Sequence, residues 1–379
     1  MKVLIDFTQI PTDRTGVGVY ADKLISGLSS LVTNGDSLLV LVQKDERGIY
    51  ELVRDSPNVS IASVPTTVLR NRALLFLYEQ VVLPVLLVSK NVDVIHSLHY
   101  THPLICPCSR VVTVHDLTFL LSPELHTWGR RLIMPFFIKH AVRRSEAVVF
   151  ISNTTRVDSE KLIQGAKKKL RRVIPLGVSL KEFNLDSQLV EEVLAKFLLT
   201  QPYVLYLGTI EPRKNIFRLI QAYEQIAHQH PNLLLVLAGK SGWHVDNVFA
   251  AIRSSKYRER IRHLGFVSEL EKRALLTKCQ ILVYPSLYEG FGLPVLEAMA
   301  AGAPVITSNV SALPEVTGDA AILINPLSVE EIATAMSMLL NDEQKRDHLR
   351  ILGKRRAAEF SWEKVAIQTF DLYKEVAEK

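Results

Sequence analysis

The chain has 379 residues, of which 48% are hydrophobic and 22% charged, and it contains three cysteines. At roughly 150 residues a domain, this length predicts two large domains, and the composition excludes a disordered, a collagen-like and a disulfide-stapled chain. The 45 lysines and arginines outnumber the 39 aspartates and glutamates, and this net charge of +6 favours anionic partners without choosing among them.

Short apolar, β-branched runs alternate with longer helical patterns along the chain. Predicted strands cover residues 3–5, 38–42, 59–61, 94–95, 111–114, 148–151, 203–207, 233–238, 261–264, 281–284, 304–307 and 321–323. Predicted helices cover residues 17–31, 73–87, 131–142, 154–163, 215–228, 269–277, 293–300 and 329–340. Near-continuous apolar strands that alternate with helices are typical of parallel sheets covered on both faces. The chain is therefore predicted to be α/β, with two doubly wound, Rossmann-like domains.

We place the first domain at residues 1–179, a linker at 180–201 and the second domain at 202–360. The basic run at 167–172, KKKLRR, is interpreted as a solvated helix end. Asp6 interrupts the first apolar run, and Glu79, Gln80 and Pro84 interrupt the apolar window at 73–88. We therefore expect neither a signal peptide nor a membrane span, a buried helix at 73–88, and a cytoplasmic protein with reduced cysteines.

A glycine-rich segment, GVGVYA at residues 16–21, follows the first strand. It matches the loose G-x-G-x-x-A dinucleotide pattern, but eight residues separate the strand from Gly16, which argues against a nicotinamide site. Gly16 and Gly18 can still open a helix whose N–H groups face a phosphate or a sugar. The alternative, a helix start that requires close packing, stays open.

Two histidine positions follow predicted strands. His115 and Asp116 come directly after the strand at 111–114, where ligands of parallel sheets bind, and His115 can donate to a phosphate oxygen or a sugar hydroxyl. A His–Asp turn that caps the next element is the alternative. His96 and His99 follow the strand at 94–95 and make a weaker case.

The segment GTIEPRKN, residues 208–215, connects a strand to a helix and carries Arg213 and Lys214 beside Thr209. Adjacent cations at a helix N-terminus oppose the helix dipole, so their presence favours a bound anion such as a diphosphate. Two solvated side chains are the alternative.

The densest segment runs from residue 284 to residue 300, YPSLYEGFGLPVLEAMA. Here Gly290 and Gly292 allow the backbone to approach a ligand, and the loop leads into a helix near residue 293. Glu289 lies in the loop and Glu297 in the helix, so both can line one pocket. A solvated Glu297 is the alternative, although a carboxylate between apolar neighbours requires a hydrogen-bond partner.

With these segments in this order, the whole chain resembles the retaining glycosyltransferases of family four, which have the GT-B fold of two Rossmann-like domains facing across a cleft. The most specific part is the E-x7-E motif from Glu289 to Glu297, which continues into AGAPVIT at 301–307. Further similarity lies at 208–215, in IPLGV at 174–178, in TGVG at 15–18, and at His115 and Asp116. The closing segment at 361–379 resembles the helix that returns to the N-terminal domain.

The resemblance implies that the second domain binds a nucleotide-diphosphate sugar and the first an acceptor. Arg213 and Lys214 would hold the diphosphate, Glu289 the transferred sugar and Glu297 the ribose. The remaining residues would lie near the sugar and the phosphates: His115, Gly16, Gly18, Thr209, Phe291, Gly292 and Leu293. Many family members carry an arginine where this chain has Thr209, which puts a second cation clamp in doubt.

The resemblance further implies same-face attack with retention, and no cofactor, metal or nucleic acid is expected. The form of residues 208–215 is similar to that in enzymes that use GDP-mannose or a deoxysugar donor, so mannosyl or rhamnosyl transfer to a glycan or lipid-linked saccharide is expected. Two alternatives stay open: another GT-B enzyme, such as a sugar-nucleotide epimerase or a sugar-phosphate synthase, and a non-catalytic nucleotide-sugar-binding subunit. The basic, apolar segment 128–144 can contact an anionic membrane or form a core helix with solvated ends.

Overall fold

The computed structural model describes residues 1–10, 14, 16–33, 35–126, 128–165 and 170–378. The chain divides into two compact units, Met1–Gly177 with Ser361–Lys379, and Val178–Phe360. Thr15 and Lys167–Lys169, which belong to the segments at 15–18 and 167–172 discussed above, lie outside the described residues.

The first unit is built on a seven-stranded parallel sheet of order β3-β2-β1-β4-β5-β6-β7. Its strands are β1 (Lys2–Asp6), β2 (Ser37–Gln43), β3 (Val59–Val64), β4 (Val94–Ser97), β5 (Ser109–Val114), β6 (Ala147–Phe150) and β7 (Leu170–Val173). Its helices, up to residue 162, are α1 (Gly16–Leu31), α2 (Arg47–Leu52), α3 (Thr66–Arg70), α4 (Arg72–Leu77), α5 (Leu83–Ser89), α6 (Thr118–Leu121), α7 (Trp128–Arg144) and α8 (Asn153–Leu162). A π-helical turn, Tyr78–Val82, joins α4 to α5, and a 3₁₀ turn, Pro123–Leu125, precedes α7.

The second unit is built on a six-stranded parallel sheet of order β10-β9-β8-β11-β12-β13. Its strands are β8 (Tyr203–Leu207), β9 (Leu234–Ala238), β10 (Ile261–Gly265), β11 (Ile281–Tyr284), β12 (Val305–Ser308) and β13 (Ile322–Ile324). Its helices are α9 (Ser187–Lys196), α10 (Ile216–Ile226), α11 (Asp246–Ser254), α12 (Glu269–Lys278), α13 (Leu293–Ala301), α14 (Leu313–Thr317), α15 (Val329–Asn341) and α16 (Glu343–Ala357). Single 3₁₀ turns lie at Leu180–Phe183, Pro212–Lys214 and Arg258–Arg260.

The last helix, α17 (Trp362–Ala377), belongs to the first unit and packs against α1. The two helices approach so closely that a Cβ atom on Gly27 would lie 2.5 Å from the Cβ of Ala366. Gly177 has the same role beside the backbone of Trp362, where a Cβ atom would lie 2.3 Å from the amide nitrogen. Glycine at both positions removes the atom that would otherwise separate the segments.

The apolar strands explain why the sheets form. Strands β5, β8, β9 and β11 are buried along almost their whole length, as expected for parallel strands covered by helices on both faces. In each sheet the strand order reverses between two neighbouring strands, β1 and β4 in the first unit and β8 and β11 in the second. The carboxyl ends of these strand pairs are where open α/β sheets bind ligands.

Three sequence-based expectations differ from the structure. Residues 180–201, interpreted as a linker, contain a 3₁₀ turn and helix α9, which packs on α12 within the second unit because Val190, Val193 and Leu194 form a buried face. The end of the basic run at 167–172 is not a helix end, since residues 170–172 belong to β7, an edge strand that tolerates charged side chains.

The third difference is the apolar segment at 73–88, which is not buried. A π-helical turn interrupts it, and only one side, with Leu83 and Leu87, packs into a cluster against the sheet. Besides these two leucines, the charged residue Glu79 is buried, with an exposed fraction of 3%. The exposed large apolar side chains of this segment are Leu74, Phe76, Leu77, Val81, Val82, Val85 and Val88. None of the described helices has both the length and the apolar character needed to cross a membrane.

Candidate active site

The loops that follow β8 and β11 lie side by side because these strands are neighbours in the sheet. Backbone and side-chain hydrogen bonds tie the loops together: the Leu287 amide donates to the Arg213 carbonyl over 2.8 Å, and Arg213 Nη1 donates to the Tyr288 carbonyl over 2.7 Å. Two segments that are about seventy residues apart in sequence therefore form one surface at the reversal point of the sheet.

Asn215 fixes the first of these loops. It follows the 3₁₀ turn Pro212–Lys214 and adopts a left-handed backbone with φ of 60°, a conformation that asparagine tolerates better than most residues. Its side-chain amide donates to the carbonyls of Pro285 (3.0 Å) and Pro326 (2.6 Å), and all these groups are buried or nearly so. The turn is thereby held in one orientation, and Lys214 is directed under the second loop.

Glu289 is the centre of a buried ion cluster. Its carboxylate accepts from Lys214 Nζ at 2.6 Å and from the Tyr284 hydroxyl at 3.0 Å, and it lies 2.9 Å from Arg213 Nη1. Lys214 also donates to the Tyr284 hydroxyl over 2.6 Å, and Arg213 pairs with Glu211 at 2.7 Å. The adjacent cations that the sequence analysis assigns to an external anion therefore already have carboxylate partners within the chain.

The charges of this cluster set the pKa of its members. Burial alone would raise the pKa of Glu289, but the positive charges of Arg213 and Lys214 outweigh burial and bring it to about 2. Burial lowers the pKa of Lys214, with Arg213 adding to the effect and Glu289 opposing it. The carboxylate is thus ionised at neutral pH and held by two cations in a poorly solvated environment.

The start of α13 lies directly after Glu289 along the chain. Gly292 has a φ of 107°, and a Cβ atom there would lie 2.6 Å from the side chain of Leu313, so only glycine suits this position. Within the described part of the chain, the amides of Phe291 and Gly292 donate to no protein acceptor. Together with the first turn of α13, which begins at Leu293, they present N–H groups of the kind that bind phosphate.

Glu297 is buried in α13, and its partner is Lys272 of α12. Lys272 Nζ lies 2.6 Å from Glu297 and 2.9 Å from Glu269. Burial raises the pKa of Glu297, and the charge of Lys272 opposes that effect. The requirement for a hydrogen-bond partner, deduced from the apolar neighbours of Glu297, is met by a residue that the sequence analysis did not single out.

Thr209 and two tyrosines complete the floor of this region. Thr209 is half-buried, and its carbonyl accepts from the Tyr206 hydroxyl over 3.1 Å. The rings of Tyr206 and Tyr284 are stacked, with centroids 5.9 Å apart. The sequence analysis named Tyr284 only as the end of a strand. The available signal was its position, since the last residue of a strand beside the reversal point faces the site.

In the first unit His115 is buried at the end of β5. Its Nε2 lies 2.8 Å from the Leu98 carbonyl, and burial lowers its pKa, so the ring is neutral with the proton on Nε2. The remaining nitrogen, Nδ1, is then an acceptor. His115 is thus suited to accept from a sugar hydroxyl, whereas the two expected roles, donation to a phosphate oxygen or to a sugar hydroxyl, would each require a second proton on the ring.

The two candidate glycines, Gly16 and Gly18, differ in the space around them. Gly16 begins α1, and a Cβ atom there would meet nothing within 4 Å, whereas one on Gly18 would lie 2.9 Å from Arg14 Cδ. Asp116 accepts from the Thr118 amide at 3.0 Å and so initiates the next turn, as the capping alternative proposed. His96 is bonded on both nitrogens, to Tyr373 and to Thr113, and is part of the core.

A polar network that the sequence analysis missed surrounds the ends of β1 and β4. His99 Nε2 lies 3.6 Å from the Asp6 carboxylate, and Gln9 links Glu79 to Thr101. Burial raises the pKa of Glu79 to about 7, whereas Asp6 and His99 stabilise each other's charged forms. Glu79 inside an apolar run was the signal available in the sequence. The described residues contain no group of three histidine, cysteine, aspartate or glutamate side chains arranged to hold a metal ion.

Comparison with known proteins follows the same division of the chain. The profile of glycosyltransferase family 4 matches residues 14–182, and that of glycosyl transferases group 1 matches residues 192–356. The O-antigen chain mannosyltransferase B of Escherichia coli is 34% identical over 268 residues, which are 70% of each chain. The chain belongs to glycosyltransferase family 4. The O-antigen chain mannosyltransferase RfbU of Salmonella typhimurium is 25% identical over 91% of this chain and 92% of its own.

Solved structures agree on the fold of this glycosyltransferase. HepE of Anabaena, in complex with UDP-glucose, superimposes with a TM-score of 0.78 and 18% identity, covering 99% of this chain and all of its own. At this identity the likeness concerns the fold, and the two Rossmann-like units are those of the GT-B fold. The predicted fold class and family are thereby confirmed.

The ion cluster predicts a pH-dependent contribution to stability. Glu289 has a pKa of about 2 in the folded chain against an ordinary 4.5, so its contribution is complete above the ordinary value and is lost as the pH falls towards 2. The ionised Glu289 contributes roughly 3 kcal/mol to the free energy of unfolding. About 1 kcal/mol of this contribution should be lost between about pH 6 and pH 3.5. We expect the difference in free energy of unfolding between the wild type and Glu289→Gln, measured by urea titration, to narrow by this amount. The exposed Glu330→Gln variant is the control, and an unchanged difference for Glu289→Gln would contradict the assignment.

Proposed function

We propose that this chain is a retaining mannosyltransferase that uses GDP-mannose, requires no metal, and extends a glycan or a lipid-linked saccharide during polysaccharide assembly. The observation that carries the proposal is the buried cluster of Glu289, Lys214 and Arg213 beside the amides of Phe291 and Gly292. It combines the groups that a nucleotide-diphosphate sugar requires: cations and N–H groups for the phosphates, and a carboxylate for the sugar.

The names of the relatives support the choice of sugar. The E. coli and Salmonella proteins reported above are named as O-antigen chain mannosyltransferases, and the E. coli protein is similar over 70% of this chain. HepE was crystallised with UDP-glucose, so the fold by itself accommodates a uridine donor as well. The loop at 208–215 resembles that of enzymes that use GDP-mannose or a deoxysugar donor, and the choice of base is therefore tested directly below.

Donor binding on this cluster is an exchange of partners. Arg213 and Lys214 are paired with Glu289 in the chain alone, at 2.9 and 2.6 Å. A diphosphate carries more negative charge than one carboxylate and can accept from both cations and from the amides before α13 at once. When the cations turn to the phosphates, the Glu289 carboxylate becomes free to accept from sugar hydroxyls.

The same residues then stabilise the products of bond cleavage. Breaking the bond between the anomeric carbon and the phosphate oxygen leaves an electron-poor sugar and a more negative diphosphate. Arg213, Lys214 and the amides are placed for the diphosphate, the role that a divalent cation has in other transferases. The acceptor hydroxyl attacks from the face that the leaving group vacates, and its proton passes to the departing phosphate, so the anomeric configuration is retained.

Acceptor binding is assigned to the first unit. His115 offers Nδ1 as an acceptor, and the network of Asp6, His99 and Gln9 lies at the reversal point of the same sheet. Neutral and charged groups that both donate and accept are suited to a polyhydroxylated saccharide. Gly16 begins α1 beside this edge and leaves room for the acceptor, whereas Gly18 is packed against Arg14.

Peripheral contact with an anionic membrane is part of the proposal. The first half of α7 carries Trp128, Leu132 and Phe136, four residues apart, with exposed fractions of 76, 61 and 54%. Arg130 and Arg131 are exposed between them, whereas Phe137, Ile138, Ala141 and Val142 in the second half are buried. Exposed aromatic and aliphatic groups flanked by arginines are typical of helices that lie at a lipid interface.

A nucleotide panel tests the donor. Ligand binding to the native state stabilises it by about 2.7 kcal/mol at one hundred times the dissociation constant, so at equal concentration the tightest ligand gives the largest shift. We therefore expect GDP to raise the melting temperature of the chain more than UDP or dTDP. Lys214→Met should lose most of the GDP-induced shift, whereas Lys181→Met, at an exposed lysine, should retain it. A larger shift with UDP would replace GDP in the proposal, and an unchanged shift in Lys214→Met would remove the lysine from the diphosphate site.

The Glu289→Gln variant tests the chemical role of the carboxylate. The substitution preserves shape, removes the charge and releases both cations, so GDP should bind at least as tightly as to the wild type. Transfer of radiolabelled mannose to the acceptor should fall by roughly 100-fold or more. The wild type should remain active in a chelator, and Glu330→Gln should transfer normally. A Glu289→Gln enzyme that elongates the glycan at the wild-type rate, or donor consumption without elongation in the wild type, would refute the proposal.

Flotation with lipid vesicles tests the membrane contact. We expect the chain to float with vesicles that contain phosphatidylglycerol at low salt, and less so with neutral phosphatidylcholine vesicles. A triple substitution of Trp128, Leu132 and Phe136 by serine should abolish flotation. The matched control replaces Leu198, Leu327 and Ile351, three exposed apolar residues of the second unit, by serine. Equal flotation of both triple variants would exclude α7 as the contact.

A further inference from the structure

Two thiols lie together in the segment that connects β4 to β5 in the first unit. Cys106 and Cys108 flank Pro107, and their sulfur atoms are 3.7 Å apart. Both side chains are half-buried and rest against the apolar cluster that contains Leu83 and Leu87. The sequence analysis assigned these cysteines no role, because a spacing of two residues says nothing about the distance between side chains.

The thiols line a cavity of about 330 Å³. Its wall also contains Arg110, His140, Arg144 and Glu146, so cationic side chains outnumber the single carboxylate. Arg110 is nine-tenths buried or more, and Nη1 of its guanidinium donates to the Pro103 carbonyl. The cavity is large enough for several water-sized molecules, and a small polar reagent can therefore reach the sulfur atoms.

The surroundings give the two thiols different roles. The two thiols share a hydrogen bond in which either sulfur can donate. This contact lowers the pKa of Cys106; burial opposes the effect and Arg110 adds to it. The same contact, together with burial, raises the pKa of Cys108. Cys106 is thus the thiolate that reacts first, and Cys108 is a thiol held beside it, the arrangement found in redox-active cysteine pairs.

The geometry points to a reversible disulfide between Cys106 and Cys108, and we propose that this pair is a thiol oxidation site whose oxidant is a hydroperoxide. The proposal is independent of glycosyl transfer. A sulfur–sulfur bond is about 2.0 Å long, so the two sulfur atoms have to move less than about 2 Å closer together. Side-chain rotation and a small backbone shift can supply this movement.

The oxidation takes place in two steps. The Cys106 thiolate attacks one oxygen of hydrogen peroxide, so that a sulfur–oxygen bond forms, the oxygen–oxygen bond breaks, and hydroxide leaves and takes up a proton as water. Cys108 then attacks the sulfenic sulfur, the sulfur–oxygen bond breaks, and the second oxygen leaves as water with the Cys108 proton. Two thiols and one peroxide give one disulfide and two waters, and an added dithiol reverses the change.

Cys279 of the second unit provides an internal comparison. It is buried, its thiol donates to the Leu276 carbonyl over 3.4 Å, and burial raises its pKa to about 12. A thiol of this kind reacts slowly with peroxide and with alkylating reagents. Any oxidation that depends on local structure should therefore spare Cys279.

The test exposes the folded full-length chain to a stoichiometric amount of hydrogen peroxide, blocks remaining thiols with a maleimide after denaturation, and reads the intact mass. In the wild type and in Cys279→Ser, we expect two fewer thiols to react with maleimide and the protein itself to lose the mass of two hydrogen atoms. Dithiothreitol should restore both thiols. Cys108→Ser should stop at a sulfenic acid that dimedone traps on residue 106, and Cys106→Ser should keep both of its thiols. Circular dichroism checks that each variant is folded.

Three outcomes would overturn the proposal. They are a wild type that keeps all three thiols, oxidation of Cys279 at the same rate as Cys106, and a disulfide that joins two chains. A nucleotide panel and a transfer assay are unaffected by any of these results, so failure of the thiol site and failure of the proposed transferase function are distinguishable.

Discussion

The second unit depends on one arrangement, a carboxylate and two cations buried together at the point where its sheet reverses. A single ionised group in such a place would be strongly unfavourable, because the loss of hydration is not compensated. Glu289, Lys214 and Arg213 are tolerated since each has partners within 3 Å, and Tyr284 and Glu211 satisfy the remaining hydrogen bonds. Replacing Glu289 leaves Lys214 without its carboxylate partner, and replacing Arg213 leaves Glu211 without its cation.

This constraint explains the conformation of the surrounding backbone. Lys214 reaches Glu289 because Asn215 holds the preceding turn against Pro285 and Pro326. The carboxylate is held by the loop after β11, and the Ser311 hydroxyl accepts from the Glu289 amide over 3.0 Å. In the proposed exchange of partners, an anionic ligand would meet a backbone that is already held in place, so little ordering would have to accompany binding.

The sequence predicted this unit well for identifiable reasons. Strands such as 203–207 and 281–284 are continuous apolar runs, which have few alternatives in an α/β chain, and Gly292 lies where the left-handed backbone requires glycine. What the sequence could not show was pairing over long separations. Lys272 lies twenty-five residues before Glu297, and nothing local distinguishes it from Lys278, the other lysine of α12.

The first unit was predicted less well, because its helices combine core and surface functions in one segment. Strand β7 carries Arg171 and Arg172 and so lacks the apolar signal of a central strand. In the second unit, helix α9 was likewise hidden in a polar stretch. The apolar run at 73–88 was expected to be buried because its composition is apolar. Composition does not indicate which side of a helix packs against the sheet. In this run the π-helical turn at Tyr78–Val82 places Glu79 on the buried side.

In the run at 73–88 a charged residue is buried and apolar side chains are exposed, which gives the first unit an apolar surface. Glu79 occupies an interior position, where burial raises its pKa to about 7, while Val85 and six other large apolar side chains face outwards. Gln80 links this run to α7: its amide donates to the His102 carbonyl at 3.0 Å, and His102 lies 2.9 Å from His140. The exposed apolar groups of 74–88 and those of 128–136 thus belong to connected parts of one unit. In water such a surface is unfavourable by about 25 cal/mol for each Å². In the proposed membrane contact, lipid would remove this penalty and the arginines of α7 would add attraction to anionic headgroups.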